Sequence, residues 1–90
     1  MEGFTKVADL GGGIHYEVSL AHDHRRRTLV VVKALRPQFL EDAAARAGYL
    51  RELALLSRIS HPNIVRLLAY DDEAEQPYFV LEYLDGPTLS

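Results

Sequence analysis

Apolar residues in the first half of the chain form a run that predicts a buried strand. The segment from Leu29 to Leu35 consists of β-branched and aliphatic residues around one lysine, Lys33. Branched side chains suit a pleated sheet, so this segment is predicted to be a strand with both faces buried. Side chains alternate along a strand, which puts Lys33 on the same face as Val31. An ammonium group on an apolar face requires an anion nearby.

Helical spacing appears further along the chain and provides that anion. Tyr49, Leu53 and Leu56 recur about one turn apart, as on the buried face of a helix. Glu52 falls inside this stripe, so its carboxylate is predicted to face Lys33 within reach of a charge-assisted hydrogen bond. Each charge left alone there would be costly, whereas a pair offsets much of that cost. The alternative is a lysine that reaches out to solvent and a glutamate at the edge of the stripe.

The same patterns predict five strands and one main helix. The strands are expected at Phe4 to Leu10, Tyr16 to Ala21, 28 to 35, Ile64 to Tyr70 and Tyr78 to Tyr83, and the main helix at 48 to 60. Gly48 costs a helix about 1 kcal/mol relative to alanine, so any helix before it is expected to be weak. Pro62 ends the helix, because the residue before a proline avoids the α region.

A glycine-rich turn, Gly11-Gly12-Gly13, separates the first two predicted strands. Glycines let backbone N–H groups approach phosphates closely. The order of glycine turn, strand lysine, helix glutamate and the segment His61-Pro62-Asn63-Ile64-Val65 resembles the amino-terminal lobe of a protein serine/threonine kinase of the bacterial, eukaryotic-like type. The resemblance extends roughly from Phe4 to Leu89.

This resemblance implies an α+β fold, in which a five-stranded antiparallel sheet carries one main helix. It implies a single kinase-like lobe over residues 1–90, truncated at the hinge. Its parts would be the glycine loop at 10–18, the lysine strand at 28–35, the main helix at 48–60 and the hinge at 82–88.

The resemblance also assigns roles to individual residues. Lys33 would hold the α- and β-phosphates of ATP, and Glu52 would fix that lysine, so these two are the candidate catalytic residues. At the adenine edge, the carbonyl of Glu82 and the amide of Leu84 would form hydrogen bonds. The full set of residues that match the ATP site is Leu10, Gly11, Gly13, Val18, Val31, Lys33, Leu81, Glu82 and Leu84.

Three positions depart from the family pattern. Tyr16 replaces the third glycine of the loop, where its side chain would crowd or cover the phosphates. His15 stands where an aromatic residue is usual, and Val31 takes a place normally held by alanine, which narrows the adenine slot. Two of these departures, Tyr16 and Val31, favour the alternative function, a non-catalytic kinase-like module that binds a nucleotide or a partner.

Catalysis by these residues alone is not expected. The sequence contains no His-Arg-Asp loop, no Asp-Phe-Gly metal site and no Ala-Pro-Glu segment. The parent protein would transfer the γ-phosphate of ATP to Ser or Thr hydroxyls with Mg²⁺, whose ligands are not among these residues. The implied partners are therefore ATP, a carboxy-terminal kinase lobe and a protein substrate.

Composition excludes several other classes of protein. The formal net charge of −3 argues against nonspecific nucleic-acid binding. Without cysteine there is no disulfide framework and no thiolate metal site. No apolar run approaches the roughly 18 residues of a membrane span. No signal peptide is visible, so the predicted location is the cytoplasm.

Overall fold

The computed structural model describes residues 3–58 and 66–83. Its elements are β1 (Phe4–Gly12), β2 (Tyr16–Asp23), β3 (Thr28–Leu35), a 3-10 turn (Pro37–Phe39), α1 (Ala43–Arg58), β4 (Leu67–Asp71) and β5 (Tyr78–Glu82). The strands form one sheet in the order β1-β2-β3-β5-β4, with each neighbouring pair antiparallel. This confirms the predicted α+β fold. No helix in the described ranges is long and apolar enough to cross a membrane.

Strand β3 lies at the centre of the sheet and presents a different surface on each face. On the face away from Lys33 its side chains join a cluster of apolar residues from four other strands. The buried members are Ala21, Val30, Val32 and Val80, and Phe4, Leu68, Ala69 and Tyr78 pack against them. Removal of this apolar surface from water stabilises the sheet at about 25 cal/mol per Å².

The helix packs on the other face of the sheet, the face of Lys33. Tyr49 of α1 is 2% exposed, and Phe79 of β5 is fully buried. Their rings are stacked with centroids 4.5 Å apart and planes 10° apart. The Tyr49 hydroxyl donates a hydrogen bond of 2.8 Å to the carbonyl oxygen of Tyr78. Because the hydroxyl has a partner, the tyrosine is buried without leaving a polar group unsatisfied.

The helix begins at Ala43, ahead of the start predicted at Gly48. The physical reason is a cap. The Asp42 Oδ1 atom accepts hydrogen bonds from the backbone amides of Ala44 at 2.9 Å and Ala45 at 3.1 Å. Such a cap is worth about 1 kcal/mol, which matches the cost of a glycine inside a helix. The predicted helix end at 60 lies outside the described residues.

The strand bounds differ from the predicted ones at several ends. β1 continues to Gly12 and β2 to Asp23. The buried Asp23 carboxylate closes the turn after β2, since it accepts hydrogen bonds from the amides of Arg25 and Arg26. The described part of the fourth strand begins at Leu67, and residues 64 and 65 lie outside the described ranges.

The strand ladder is irregular at both edges of the sheet. The β1–β2 register shifts between Lys6 and Ala8 and again between Asp9 and Gly11. The β4–β5 register shifts between Leu67 and Ala69. The inner pairs, β2–β3 and β3–β5, run without a shift, so the strands around Lys33 have a regular register.

Candidate functional site

Lys33 and Glu52 form an ion pair between the sheet and the helix. The distance from Lys33 Nζ to Glu52 Oε2 is 2.6 Å, so the predicted facing arrangement is found in the structure. The side chains are 28% and 33% exposed, respectively. Solvent therefore reaches the ion pair, and the ammonium group is accessible to a charged ligand from the same side.

Tyr16 supplies a second contact to the same lysine. The Lys33 Nζ lies 4.6 Å from the centroid of the Tyr16 ring. The Tyr16 ring also stacks toward Phe79, with centroids 6.5 Å apart and an interplanar angle of 28°. Burial raises the pKa of the Tyr16 hydroxyl, and the nearby Glu52 carboxylate raises it further. The phenol is accordingly held in its neutral form.

Apolar side chains continue this face of the sheet beside the ammonium group. Residues directly opposite each other in an antiparallel pair lie on one face. Val18 and Phe79 are opposite Lys33 on its two sides, and Val31 is opposite Leu81. The structure thus brings Val18, Val31, Lys33 and Leu81 together on one partly exposed surface.

The three glycines of the turn have different surroundings. Gly11 and Gly12 adopt φ angles of 95° and 121°, which L side chains rarely adopt. A Cβ atom at Gly12 would collide with the backbone oxygen of Tyr16. No atom lies within 4 Å of where a Cβ would be at Gly11 or Gly13. Gly12 is therefore required by the turn, whereas open space lies beside Gly11 and Gly13 on the side where a Cβ would be. The Gly13 amide itself donates to the Tyr16 carbonyl oxygen at 3.3 Å.

The tip of the turn is attached to the segment that follows β3. Arg36 Nε donates to the Gly13 carbonyl oxygen at 3.1 Å, and the Arg36 amide donates to the His15 carbonyl oxygen at 2.8 Å. The His15 ring lies 4.5 Å from the Phe39 ring, centroid to centroid. These contacts hold the glycine turn near the carboxyl end of the lysine strand.

The remaining predicted site residues are less completely described. Leu10 is 49% exposed and lies in β1, two residues before the strand ends at Gly12. Glu82 ends β5, and its amide donates to the Arg66 carbonyl oxygen at 2.8 Å. Leu84 lies outside the described residues, so the predicted adenine contacts of Glu82 and Leu84 stay predictions.

Sequence reasoning did not find the contact between Tyr16 and Lys33 or the stack formed by Phe79 and Tyr49. One signal for the first was present, since Tyr16 and Val18 are two residues apart on a strand and share a face. The missing information was the register that puts Val18 opposite Lys33. The stack of Tyr49 on Phe79 joins a helix to a strand far along the chain, so the spacing of residues within either element does not predict it.

Comparison of the sequence with known proteins finds one matching protein family and several similar proteins. The family described as protein kinase domain matches residues 4–90. A probable serine/threonine-protein kinase of Streptomyces coelicolor is 39% identical over 84 residues, which cover 89% of this chain. Aurora kinase A-A of Xenopus laevis is 33% identical over 89 residues, or 99% of this chain. The probable serine/threonine-protein kinase PknB of Lactococcus lactis is 41% identical over 61 residues, or 68% of it.

The matching regions are small parts of these relatives. They amount to 12% of the Streptomyces protein, 22% of the Xenopus protein and 10% of the Lactococcus protein. The chain therefore spans less than a quarter of the length of each of these relatives.

Proposed function

This chain belongs to the protein kinase domain family and forms its amino-terminal lobe, and we propose that it binds ATP on the face of the sheet that carries Lys33. The observation that carries the proposal is the ion pair between Lys33 Nζ and Glu52 Oε2, 2.6 Å apart beside an open glycine turn. Phosphoryl transfer depends on positioning and on neutralisation of phosphate charge more than on covalent chemistry. An ammonium group held in place can both position a phosphate and neutralise its charge.

The phosphates would lie between Lys33 and the glycine turn. An ammonium group has three N–H donors, and Glu52 takes one of them. The donors that remain can reach phosphate oxygens from the solvent side. The open space beside Gly11 and Gly13 lets a phosphate approach the turn without meeting a side chain there. The proposed role of Glu52 is to hold the ammonium in place.

The adenine would lie on the apolar surface next to the lysine. Val18, Val31 and Leu81 share the face of Lys33, and a flat aromatic base fits between such side chains. Leu10, at the entry to the glycine turn, would cover one edge of the base. Val31 is larger than the alanine expected by resemblance, so the slot is narrower there.

The complete protein is proposed to transfer the γ-phosphate of ATP to Ser or Thr hydroxyls of a protein substrate. Mg²⁺ would neutralise charge on the phosphates, and its ligands are expected from residues beyond these 90. The base that accepts the hydroxyl proton is expected there as well, on a carboxy-terminal lobe. These residues alone are therefore predicted not to phosphorylate a substrate. Cytoplasmic location stays a prediction.

The alternative, a non-catalytic kinase-like module, is not favoured. The relatives reported above are named as kinases, and Lys33 of the sheet is in contact with Glu52 of the helix. Tyr16 contacts the lysine instead of displacing it from Glu52. The departure from glycine at this position has thus left the ion pair in place.

The two lysines of the chain provide a matched test. ATP binding is measured by titration calorimetry for the unaltered chain, Lys33→Met and Lys6→Met. Hydrogen bonds to charged groups contribute about 1.5–3 kcal/mol, so Lys33→Met is expected to weaken binding by about 10- to 100-fold. Lys6→Met removes the same charge from β1 and is expected to leave binding unchanged. No ATP binding by the unaltered chain, or equal binding by Lys33→Met, would contradict the proposal.

A further inference from the structure

We propose that Tyr16 is a positioning residue, whose ring holds the Lys33 ammonium and links it to helix α1 before any nucleotide binds. The proposal rests on the proposed function of Lys33 as the phosphate-binding residue. It concerns a residue at which this chain departs from the glycine expected by resemblance. It gives that departure a role in the site.

The first link is between the ring and the ammonium group. A cation within about 6 Å of an aromatic centroid is attracted by the negative face of the ring. The Lys33 Nζ lies 4.6 Å from the Tyr16 centroid, inside this limit. The Tyr16 and Lys33 side chains are both partly buried, so part of each is removed from water where the ring meets the ammonium group.

The second link passes from Tyr16 to the helix through two further rings. The Tyr16 ring is stacked toward the Phe79 ring with centroids 6.5 Å apart, and the Phe79 ring is stacked on the Tyr49 ring with centroids 4.5 Å apart. Phe79 is fully buried and Tyr49 is 2% exposed, so neither ring has room to shift. The Tyr49 hydroxyl is fixed by its hydrogen bond to the carbonyl oxygen of Tyr78. Tyr16 is therefore joined to a rigid part of the core.

Helix geometry carries this link to the ion pair. Tyr49 and Glu52 are three residues apart in α1, so they lie on one face of the helix. A helix fixed at Tyr49 keeps the Glu52 carboxylate directed at the sheet. Lys33 is thus held by two groups, the Glu52 carboxylate and the Tyr16 ring, and both are fixed to the same aromatic stack.

A lysine that is already held in place loses less conformational entropy when a ligand binds, and this raises the affinity for the ligand. With glycine at position 16 the ring contacts to the ammonium and to Phe79 would both be lost. Tyr16→Gly is therefore expected to weaken ATP binding by about three- to tenfold, the size of effect given by a cation–π contact. Tyr16→Phe keeps the ring and is expected to bind ATP as tightly as the unaltered chain.

The experiment begins without nucleotide, by NMR of the lysine side chains. A proton above an aromatic ring is shifted upfield, so the Lys33 ε-methylene protons are expected upfield of those of Lys6. The shift should persist in Tyr16→Phe and disappear in Tyr16→Leu, which keeps an apolar side chain at the position. The Lys6 signals serve as an internal reference in every variant.

The second measurement is ATP affinity of the same variants by calorimetry. Weaker binding by Tyr16→Gly and Tyr16→Leu, with rescue by Tyr16→Phe, supports the proposal. It is overturned if the Lys33 signal is not shifted in the unaltered chain, or if Tyr16→Gly binds ATP equally or more tightly. Absence of ATP binding by the unaltered chain would refute the proposed function instead, and the NMR result would still decide whether Tyr16 positions Lys33.

Discussion

The rings of Tyr49 and Phe79 lie nearly parallel with centroids 4.5 Å apart, and we expect this contact to hold the helix on the sheet more strongly than the Lys33–Glu52 ion pair does. The comparison is one of magnitude. Truncation of a buried aromatic side chain costs about 3–5 kcal/mol, whereas a solvent-reached ion pair is worth about 1 kcal/mol or less.

Tyr49→Ala is accordingly expected to lower the free energy of unfolding by about 3–5 kcal/mol, because it leaves a cavity against Phe79. Urea unfolding followed by circular dichroism measures the change. Tyr70→Ala is the matched control, since Tyr70 is 51% exposed and its truncation is expected to change stability by no more than about 0.5 kcal/mol. Equal losses in the two variants would show that the stack does not stabilise the lobe.

Glu52→Gln is expected to lower the free energy of unfolding by less than about 1 kcal/mol, because water screens the pair. The loss should shrink further at high salt, which screens exposed charges. Glu41→Gln, at an exposed position before the helix, is the control for removal of one negative charge. A loss as large as that of Tyr49→Ala would mean that the ion pair, and not the aromatic stack, fixes the helix.

Gly12→Ala and Gly13→Ala form a pair that tests which of the two glycines the conformation of the turn requires. Gly12 has a φ of 121°, and a Cβ there would collide with the Tyr16 backbone. Gly12→Ala is therefore expected to cost about 1–3 kcal/mol of stability. Gly13→Ala meets open space and is expected to stay within about 0.5 kcal/mol of the unaltered chain. Thermal unfolding of the two variants tests this, and the reverse order of stability would refute the assignment.

Stability is expected to fall at alkaline pH, with Tyr49 as a main cause. Burial raises the pKa of the Tyr49 hydroxyl well above its ordinary value of 10.0, and the carboxylates of Asp72 and Asp71 raise it further. Below about pH 10 the hydroxyl is neutral in both the folded and the unfolded chain, so its contribution is fully present. Above that pH the unfolded chain loses the proton and the folded chain keeps it. The free energy of unfolding then falls by up to about 1.4 kcal/mol per pH unit, until the pH passes the pKa of the folded state.

Urea unfolding at a series of pH values tests this expectation with Tyr49→Phe. The variant leaves the Tyr78 carbonyl oxygen without its donor and should be less stable at neutral pH by about 1 kcal/mol. Its stability should then decline less steeply above pH 10, because the ionisable hydroxyl is gone. Parallel curves for the two proteins would rule Tyr49 out as the cause.

The central part of the site could be predicted because its signals are local. The run around Lys33 has the composition of a strand, and Glu52 occupies a defined place in a helical stripe. These two patterns fix which way each charge points. Their meeting then follows from the need to pair charges on an apolar face.

The helix start and the contact between Tyr16 and Lys33 do not follow from the sequence, for different reasons. The helix start depends on the Asp42 cap, and the position of Gly48 alone does not reveal that cap. The Tyr16 contact depends on the alignment of β2 with β3, in which Val18 faces Lys33. That alignment is a property of the assembled sheet, and the alternation within each strand leaves it open.

The register shifts in β1 and β4 bear on how one molecule meets another. Edge strands expose unpaired backbone groups, and a regular edge invites a strand from a neighbouring chain. In the described sheet β1 and β4 are the outer strands, and both have broken ladders. Charged Lys6 and Asp9 stand beside the breaks in β1. A second chain would therefore meet an irregular strand at either edge, and such irregularity disfavours aggregation by strand addition.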